Sequence, residues 1–272
     1  MLEAKNITFS YTNKRSDAIF ENFDFTVHGG ERIALIAPSG TGKTTLCRLL
    51  AGYLKPQAGE ILLDGESLNN ALNKKKPQNT LHGNNKLKPN KRSLFPESTS
   101  AKRSHSPNPV QLISQHPEQT LNPRIRISKS LEEAGLARSS PINATTAKNN
   151  QDNSTPNTNS QINESPAETT HSKKAYNSSE ILCALSINPS WMTRYPAELS
   201  GGQLQRICIA RALLTHPKFI ICDEVTSMLD AITQAQIWRT LLQYANDARA
   251  GLVFTSHNPA LIKKIATRTF EL

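Results

Sequence analysis

"RIALIAPSGTGKTTLCRLL", residues 32–50, carries three kinds of text in one unbroken line. Its opening letters are a short apolar run of the kind that forms a buried strand. Its closing letters set Leu46, Leu49 and Leu50 at helical spacing, and Gly52 follows where a helix stop belongs. Between them lies a glycine-rich corner, "APSGTGKTT". Strand, corner and helix form the setting in which backbone N–H groups around glycines surround phosphate oxygens at a helix N-terminus, a lysine neutralises them, and the next hydroxyl ligates Mg²⁺. Gly40, Gly42, Lys43 and Thr44 meet those needs, with Ser39, Thr41 and Thr45 completing the corner. Ala37 stands where the pattern asks for glycine; it lacks glycine's freedom at positive φ, so the chain must enter the corner at an ordinary backbone angle.

Upstream, "NITFSY" and "IFENFDFTV" read as strands, with alternating or aromatic and β-branched residues; downstream, "GEILLDG" reads as a strand closed by a turn. Further on, "QLQRICIARALL" sets Leu204, Ile207, Cys208 and Leu214 on one helical face. "KFIICDE" is a continuous apolar run of the parallel-strand type, "AITQAQIWRTLLQYA" an amphipathic helix, and "GLVFTSH" another strand. Strands alternating with helices predict an α/β core with a largely parallel sheet, and no internal repeat is visible.

Two stretches break this pattern. Residues 70–108 are rich in Asn, Lys, Pro and Ser, and residues 139–179 in Asn, Thr, Ser and Pro. Neither holds enough apolar surface to offset ordering entropy, so both are expected to be disordered insertions, which explains a hydrophobic content of only 37% over 272 residues. The first carries nine Lys or Arg against Glu97 alone, a net of +8 out of the chain's +10. The basic character therefore belongs to one segment, read either as a solvated charge run or as a tether for anionic lipid or nucleic acid. Cys47, Cys183, Cys208 and Cys222 show no metal-binding or CxxC spacing and suit reduced, mostly buried thiols. No apolar run approaches the roughly 20 residues that cross a bilayer, and the first residues have neither a basic start nor an apolar signal core. A soluble, cytoplasmic chain is the expectation.

A second motif narrows the chemistry. "LSGGQ", residues 199–203, stands with Ser200 157 residues after Lys43 and 23 before Asp223. Alone, such a corner is also a plain helix cap. At the start of a helix, Ser200 with the backbone of Gly201 and Gly202 offers N–H donors and a positive dipole end to a phosphate, with Gln203 closing the motif. Next comes the adjacent carboxylate pair Asp223 and Glu224 at the end of an apolar strand, then "SMLD" ending in Asp230, and "FTSH" ending in His257, 33 residues after Glu224.

In these motifs and their order the chain resembles the ATP-binding cassette (ABC) ATPases along nearly all of its length outside the two low-complexity stretches. That resemblance implies a phosphate-loop NTPase core of the RecA-like kind, with an antiparallel N-terminal β-subdomain and an inserted α-helical subdomain. The core is expected over 1–69 and 196–272, and the Q-loop and helical subdomain over 109–195, interrupted by the second insertion. The resemblance also implies roles: Asp223 handles Mg²⁺ through water, Glu224 is the general base, and His257 contacts the γ-phosphate. Gln115 reaches the metal and the attacking water, Tyr11 stacks on adenine, and Asp230 lies in a dimer-contacting loop. Ser200 and its neighbours meet ATP held by the loop of another subunit, so the active unit is a head-to-tail dimer with an identical or paralogous cassette.

"QHPEQTLNPR", "RYPAELSGGQLQR" and "DEVTSMLDAITQAQIW" are similar to the ATPases of dipeptide, oligopeptide and nickel importers. This implies separate membrane permease subunits, an extracytoplasmic substrate-binding protein acting indirectly, and a place on the cytoplasmic face of the inner membrane. The other reading is a cassette acting on nucleic acid or ribosomes through the basic insertion. A single cassette without a long heptad pattern speaks against nucleic acid as a partner. A regulator without turnover is disfavoured by the joint presence of Lys43, Asp223, Glu224 and His257.

Overall fold

The computed structural model describes residues 1–12, 17–68, 70, 107–135 and 177–272. The stretches expected to be low-complexity insertions lie, apart from their edges, outside the described residues.

Two sheets form. The N-terminal one is antiparallel, in the order β2-β1-β4-β5, from β1 (Leu2–Phe9), β2 (Phe20–Val27), β4 (Ala58–Leu63) and the short β5 (Glu66–Ser67). Leu2, Ala4, Ile7 and Phe9 of β1 are buried, but the alternation slips between Ala4 and Ile7. There Asn6 takes a left-handed φ of 50°, an angle asparagine tolerates better than most residues, and the strand bulges. Gly59 of β4 passes so close to this bulge that a Cβ would sit 2.3 Å from the Asn6 carbonyl oxygen. Only glycine fits there.

The second sheet is parallel, in the order β6-β7-β8-β3-β9, built from β3 (Arg32–Ile36), β6 (Val110–Ile113), β7 (Phe219–Cys222), β8 (Gly251–Thr255) and β9 (Arg268–Glu271). Its strands are fully buried at the centre, which is why "FIIC" and "GLVFT" read as unbroken apolar runs. Successive side chains nonetheless part to opposite faces. Ile33, Leu35, Phe219, Ile221 and Val253 face one core together with Leu46, Leu49 and Leu50 of α1 (Lys43–Leu50) and the inner side of the antiparallel sheet. Ala34, Ile220, Cys222, Leu252 and Phe254 face the other.

That second core is roofed by helices: α2 (Ile127–Glu133), α3 (Ser178–Ala184), α4 (Gly201–Leu213), α5 (Ala231–Ala248) and α6 (Pro259–Ile265). The face predicted for α4 is buried in full. The architecture is therefore α/β as expected, with the parallel sheet sandwiched between the antiparallel sheet and the helices. The range 109–195 supplies α2 and α3, and it also supplies β6, which pairs in register with β7 and belongs to the parallel sheet. Because β3, β6, β7 and β8 run the same way, their C-terminal ends open on one edge, where open α/β sheets hold ligands.

Candidate functional site

Each strand delivers a different chemical group to that edge. β3 runs into the glycine-rich corner, and α1 begins at Lys43, with Leu46 N–H donating to the Gly42 carbonyl at 2.8 Å. The amides ahead of Leu46 lie at the positive end of the helix, where a helix has N–H groups to spare. Gly40 and Gly42 both take left-handed angles, φ 87° and 108°, while Ala37 does not, so alanine meets no backbone penalty at the entry. Gly42 is pinned twice: a Cβ there would lie 2.5 Å from Ile19 Cγ2 and 3.0 Å from Phe20 Cζ. Lys43 Nζ folds over the corner and donates to the carbonyls of Ala37 at 2.7 Å and Pro38 at 2.9 Å, while Thr41 Oγ1 donates to Pro38 O at 2.8 Å. The loop is thus closed on its own lysine, with Ser39 and Thr44 at the surface.

Tyr11, just past β1, joins this corner. Its hydroxyl lies 3.2 Å from Thr45 Oγ1, its ring stands edge-on to Phe9, and 60% of the residue is exposed. A broad aromatic face is thereby held beside the start of α1.

The ends of β7 and β8 form the second group. Asp223 is buried and accepts a hydrogen bond from Thr255 Oγ1 at 3.0 Å. The same Thr255 oxygen accepts the Glu224 N–H at 2.9 Å. Glu224 sits at a left-handed φ of 48°, and its Oε1 accepts from His257 Nε2 at 2.9 Å. Ser227 Oγ donates to the Glu224 carbonyl and receives Gln115 Nε2 at 3.3 Å, so the segment following β6 is linked to the loop following β7. Burial, with the Asp223 carboxylate nearby, pushes the thiols of Cys47 and Cys222 well up, which leaves them neutral packing groups. Cys208 is buried too, and Cys183 is exposed.

Ser200 and Asp230 belong to a third group. Ser200 caps α4: its Oγ accepts from Gln203 N–H at 3.3 Å, while Gln203 Oε1 accepts the Ser200 N–H at 3.0 Å, a reciprocal box. Asp230 caps α5 by accepting from Thr233 N–H at 2.9 Å, a bond that holds its carboxyl below the usual carboxylate range. Together with Gly202, Gln203, Arg206 and Leu229 they line an open surface pocket of about 270 Å³. Gly201 begins α4 with open space around it. Lys43 and Glu224 do not line that pocket. The expected site residues therefore meet in two places, the strand-end edge and the α4–α5 corner.

Mg²⁺ suits the donors at the edge. Among the described residues no three or more His, Cys, Asp or Glu gather as a metal cage. A threonine hydroxyl and one carboxylate, Thr44 and Asp223, match a small cation that keeps waters and phosphate oxygens as its remaining ligands. One contributor escaped the sequence reading. Thr255 bonds to both carboxylate residues, and its only sequence signal is a hydroxyl placed at the end of an otherwise apolar strand.

The fold is that of ATP-binding cassettes. A solved ATP-binding subunit of an ABC transporter superposes with a TM-score of 0.64 at 19% identity, covering 100% of this chain and 85% of that one. A dimeric cassette bound to ADP and Pi gives 0.62 at 20% identity, covering 100% and 94%. The sequence model of the family described as ABC transporter matches residues 20–227, so the chain belongs to the ABC transporter family.

Among curated relatives, a probable peptide ABC transporter ATP-binding protein of Sinorhizobium fredii is 29% identical over 91% of this chain and 55% of its own length. The oligopeptide transport ATP-binding protein OppF of Haemophilus influenzae is 28% identical over 100% of this chain and 69% of its own. The nickel import ATP-binding protein NikE of Escherichia coli is 28% identical over 94% and 75%. The chain thus spans little more than half the length of the first relative. Among the described residues no helix is long and apolar enough to cross a membrane.

Proposed function

We propose that the chain binds ATP with Mg²⁺ and hydrolyses it, powering import of peptides, nickel or a related small solute through separate membrane permease subunits. The observation that supports this most is the meeting, on one sheet edge, of the Lys43 corner with a carboxylate, Glu224, already hydrogen-bonded by His257. Lys43 exchanges the carbonyls of Ala37 and Pro38 for phosphate oxygens, while the amides of residues 40–45 surround the same phosphates. Tyr11 covers the adenine. Thr44, Gln115 and, through water, Asp223 would hold Mg²⁺, which when bound would neutralise phosphate charge. Glu224 takes the proton of the attacking water, His257 fixes that carboxylate, and Gln115 helps orient the water.

Ser200, Gly201, Gly202 and Gln203 serve a nucleotide on a second cassette, identical or paralogous, with the Asp230 loop at the seam. That the pocket of Ser200 and Asp230 is lined by neither Lys43 nor Glu224 supports pairing between chains. The printed names of the relatives, peptide, oligopeptide and nickel import proteins, support an importer on the cytoplasmic face of the inner membrane, served by an extracytoplasmic binding protein. Phosphate release from ATP, measured with nucleotide binding, tests the reading. Lys43→Ala loses binding; Glu224→Gln keeps binding and loses about 10²- to 10⁴-fold in turnover, the usual worth of a general base. Undiminished turnover in Glu224→Gln would exclude the assignment.

A further inference from the structure

We propose that Thr255 is a positioning residue for the hydrolytic site: one buried hydroxyl, donating to Asp223 and accepting from the Glu224 amide, orients the Asp223 carboxylate and holds the Glu224 backbone at once. The inference rests on the ATP-hydrolysing reading above and adds to it a residue that touches neither nucleotide nor water.

The geometry follows from sheet register. β7 and β8 are parallel with Cys222 opposite Phe254, so the next residues, Asp223 just past β7 and Thr255 at the end of β8, stand side by side. Thr255 is only 1% exposed, and water does not compete for its hydroxyl. A hydroxyl has one proton and two lone pairs. The proton goes to Asp223 Oδ1 at 3.0 Å and a lone pair takes the Glu224 N–H at 2.9 Å. Fixing one oxygen of the aspartate limits how the other can turn toward a cation. Fixing the amide holds the peptide between the two carboxylate residues.

That peptide needs holding. Glu224 has φ 48°, a left-handed angle that a glutamate keeps only where its surroundings over-determine it. Four hydrogen bonds do so: Thr255 on its N–H, the Ser227 Oγ and N–H on its carbonyl at 3.0 and 3.2 Å, and His257 on its carboxylate at 2.9 Å. Two of the four come from the end of β8. Thr255 sets where the Glu224 backbone stands, and His257, two residues on, sets where its carboxylate lies.

Valine has nearly the same shape as threonine and no hydroxyl; serine has the hydroxyl and less bulk. In Thr255→Val the buried Asp223 carboxylate and the part-buried Glu224 amide lose their shared partner. The test compares wild type, Thr255→Val and Thr255→Ser in three readouts: thermal unfolding, exchange of the Glu224 amide proton by NMR on glutamate-labelled protein without nucleotide, and steady-state ATP hydrolysis. With Thr255→Val still folded, Glu224 amide exchange accelerates about tenfold or more. The kcat falls about 10- to 100-fold, the loss of one buried hydrogen bond felt in the transition state, while KM for ATP stays within about threefold. Thr255→Ser returns both amide protection and kcat to near wild type. A Thr255→Val protein that keeps wild-type kcat overturns the proposal, as does a loss that Thr255→Ser fails to restore. Absence of turnover in the wild type itself overturns the hydrolytic reading first, with the amide still protected, so the two failures are distinguishable.

Discussion

Replacing Ser200 separates its cap inside its own chain from the role proposed for it toward a second cassette. Within the chain it is a helix cap, bonded to the Gln203 amide at 3.3 Å and backed by Gln203 Oε1 on its own amide at 3.0 Å. Alanine removes the acceptor and costs about 1 kcal/mol, which for a domain of this size lowers the melting temperature by about 2–4 °C. Asparagine and aspartate cap as well as serine, so both hold stability within a few tenths of a kcal/mol, and aspartate gains from the positive end of α4.

Across the proposed cassette pair the expected ranking inverts. A carboxylate about 4 Å from the partner's γ-phosphate, at an effective dielectric constant of about 20, repels it by about 4 kcal/mol per unit charge, roughly three decades in affinity. Thermal unfolding of the four proteins reads the first role. Sedimentation velocity with ATP in the Glu224→Gln background, with the cassette the chain assembles with, reads the second. The expected outcome is a stable Ser200→Asp protein that does not pair and a less stable Ser200→Ala protein that pairs better than it. If Ser200→Asp paired with ATP as tightly as the parent, a shared nucleotide would be refuted; if it melted as early as Ser200→Ala, the cap would be refuted.

Gly42→Ala forces a Cβ to within 2.5 Å of Ile19 Cγ2 at a φ of 108°, so strain and overpacking add to about 2–5 kcal/mol of lost stability, read by urea unfolding. An unchanged midpoint would show that the corner is not held as described. Acid stability carries a smaller signature at Asp64. Its carboxyl accepts from Lys218 Nζ at 2.6 Å and from the N-terminal amino group at 2.7 Å, and these bonds hold it below the usual carboxylate range. A depressed folded pKa stabilises above the unfolded value of about 4, and that gain fades as pH falls through the folded value. Asp64→Asn is therefore less stable than wild type at pH 7 by no more than about 1 kcal/mol, the range of exposed ion pairs, with the gap closing as pH falls below the unfolded value. A gap that widened on acidification would reverse the sign of the argument.

The features legible in sequence are those written within a single segment. The phosphate corner needs only the neighbours of Lys43, the α4 cap needs only residues 200–203, and the central strands show as apolar runs because both faces of β7 and β8 are buried. The edges of the parallel sheet were not legible. β6 has only four residues, with two half-buried in the middle, and β9 presents Arg268, Thr269 and Glu271 to solvent, so neither shows a strand's pattern. Their strand character comes from pairing to β7 and β3, a tertiary cause. Thr255 was hidden for a related reason. Its partners lie 31 and 32 residues away, and only the parallel register of β7 and β8 brings its hydroxyl to them. The contact between Glu224 and His257 depends on the same register, although the roles of both residues were expected from the motifs.

The central claim is that a triphosphate gripped by the Lys43 corner of one cassette is completed by the Ser200 corner of another. A structure of the Glu224→Gln protein, with its cassette partner, ATP and Mg²⁺, measures this directly. The expected structure has γ-phosphate oxygens within hydrogen-bond distance of Lys43 Nζ on one side and of Ser200 or its facing counterpart on the other. ATP held at Lys43 with the opposing serine corner far from any nucleotide would contradict it.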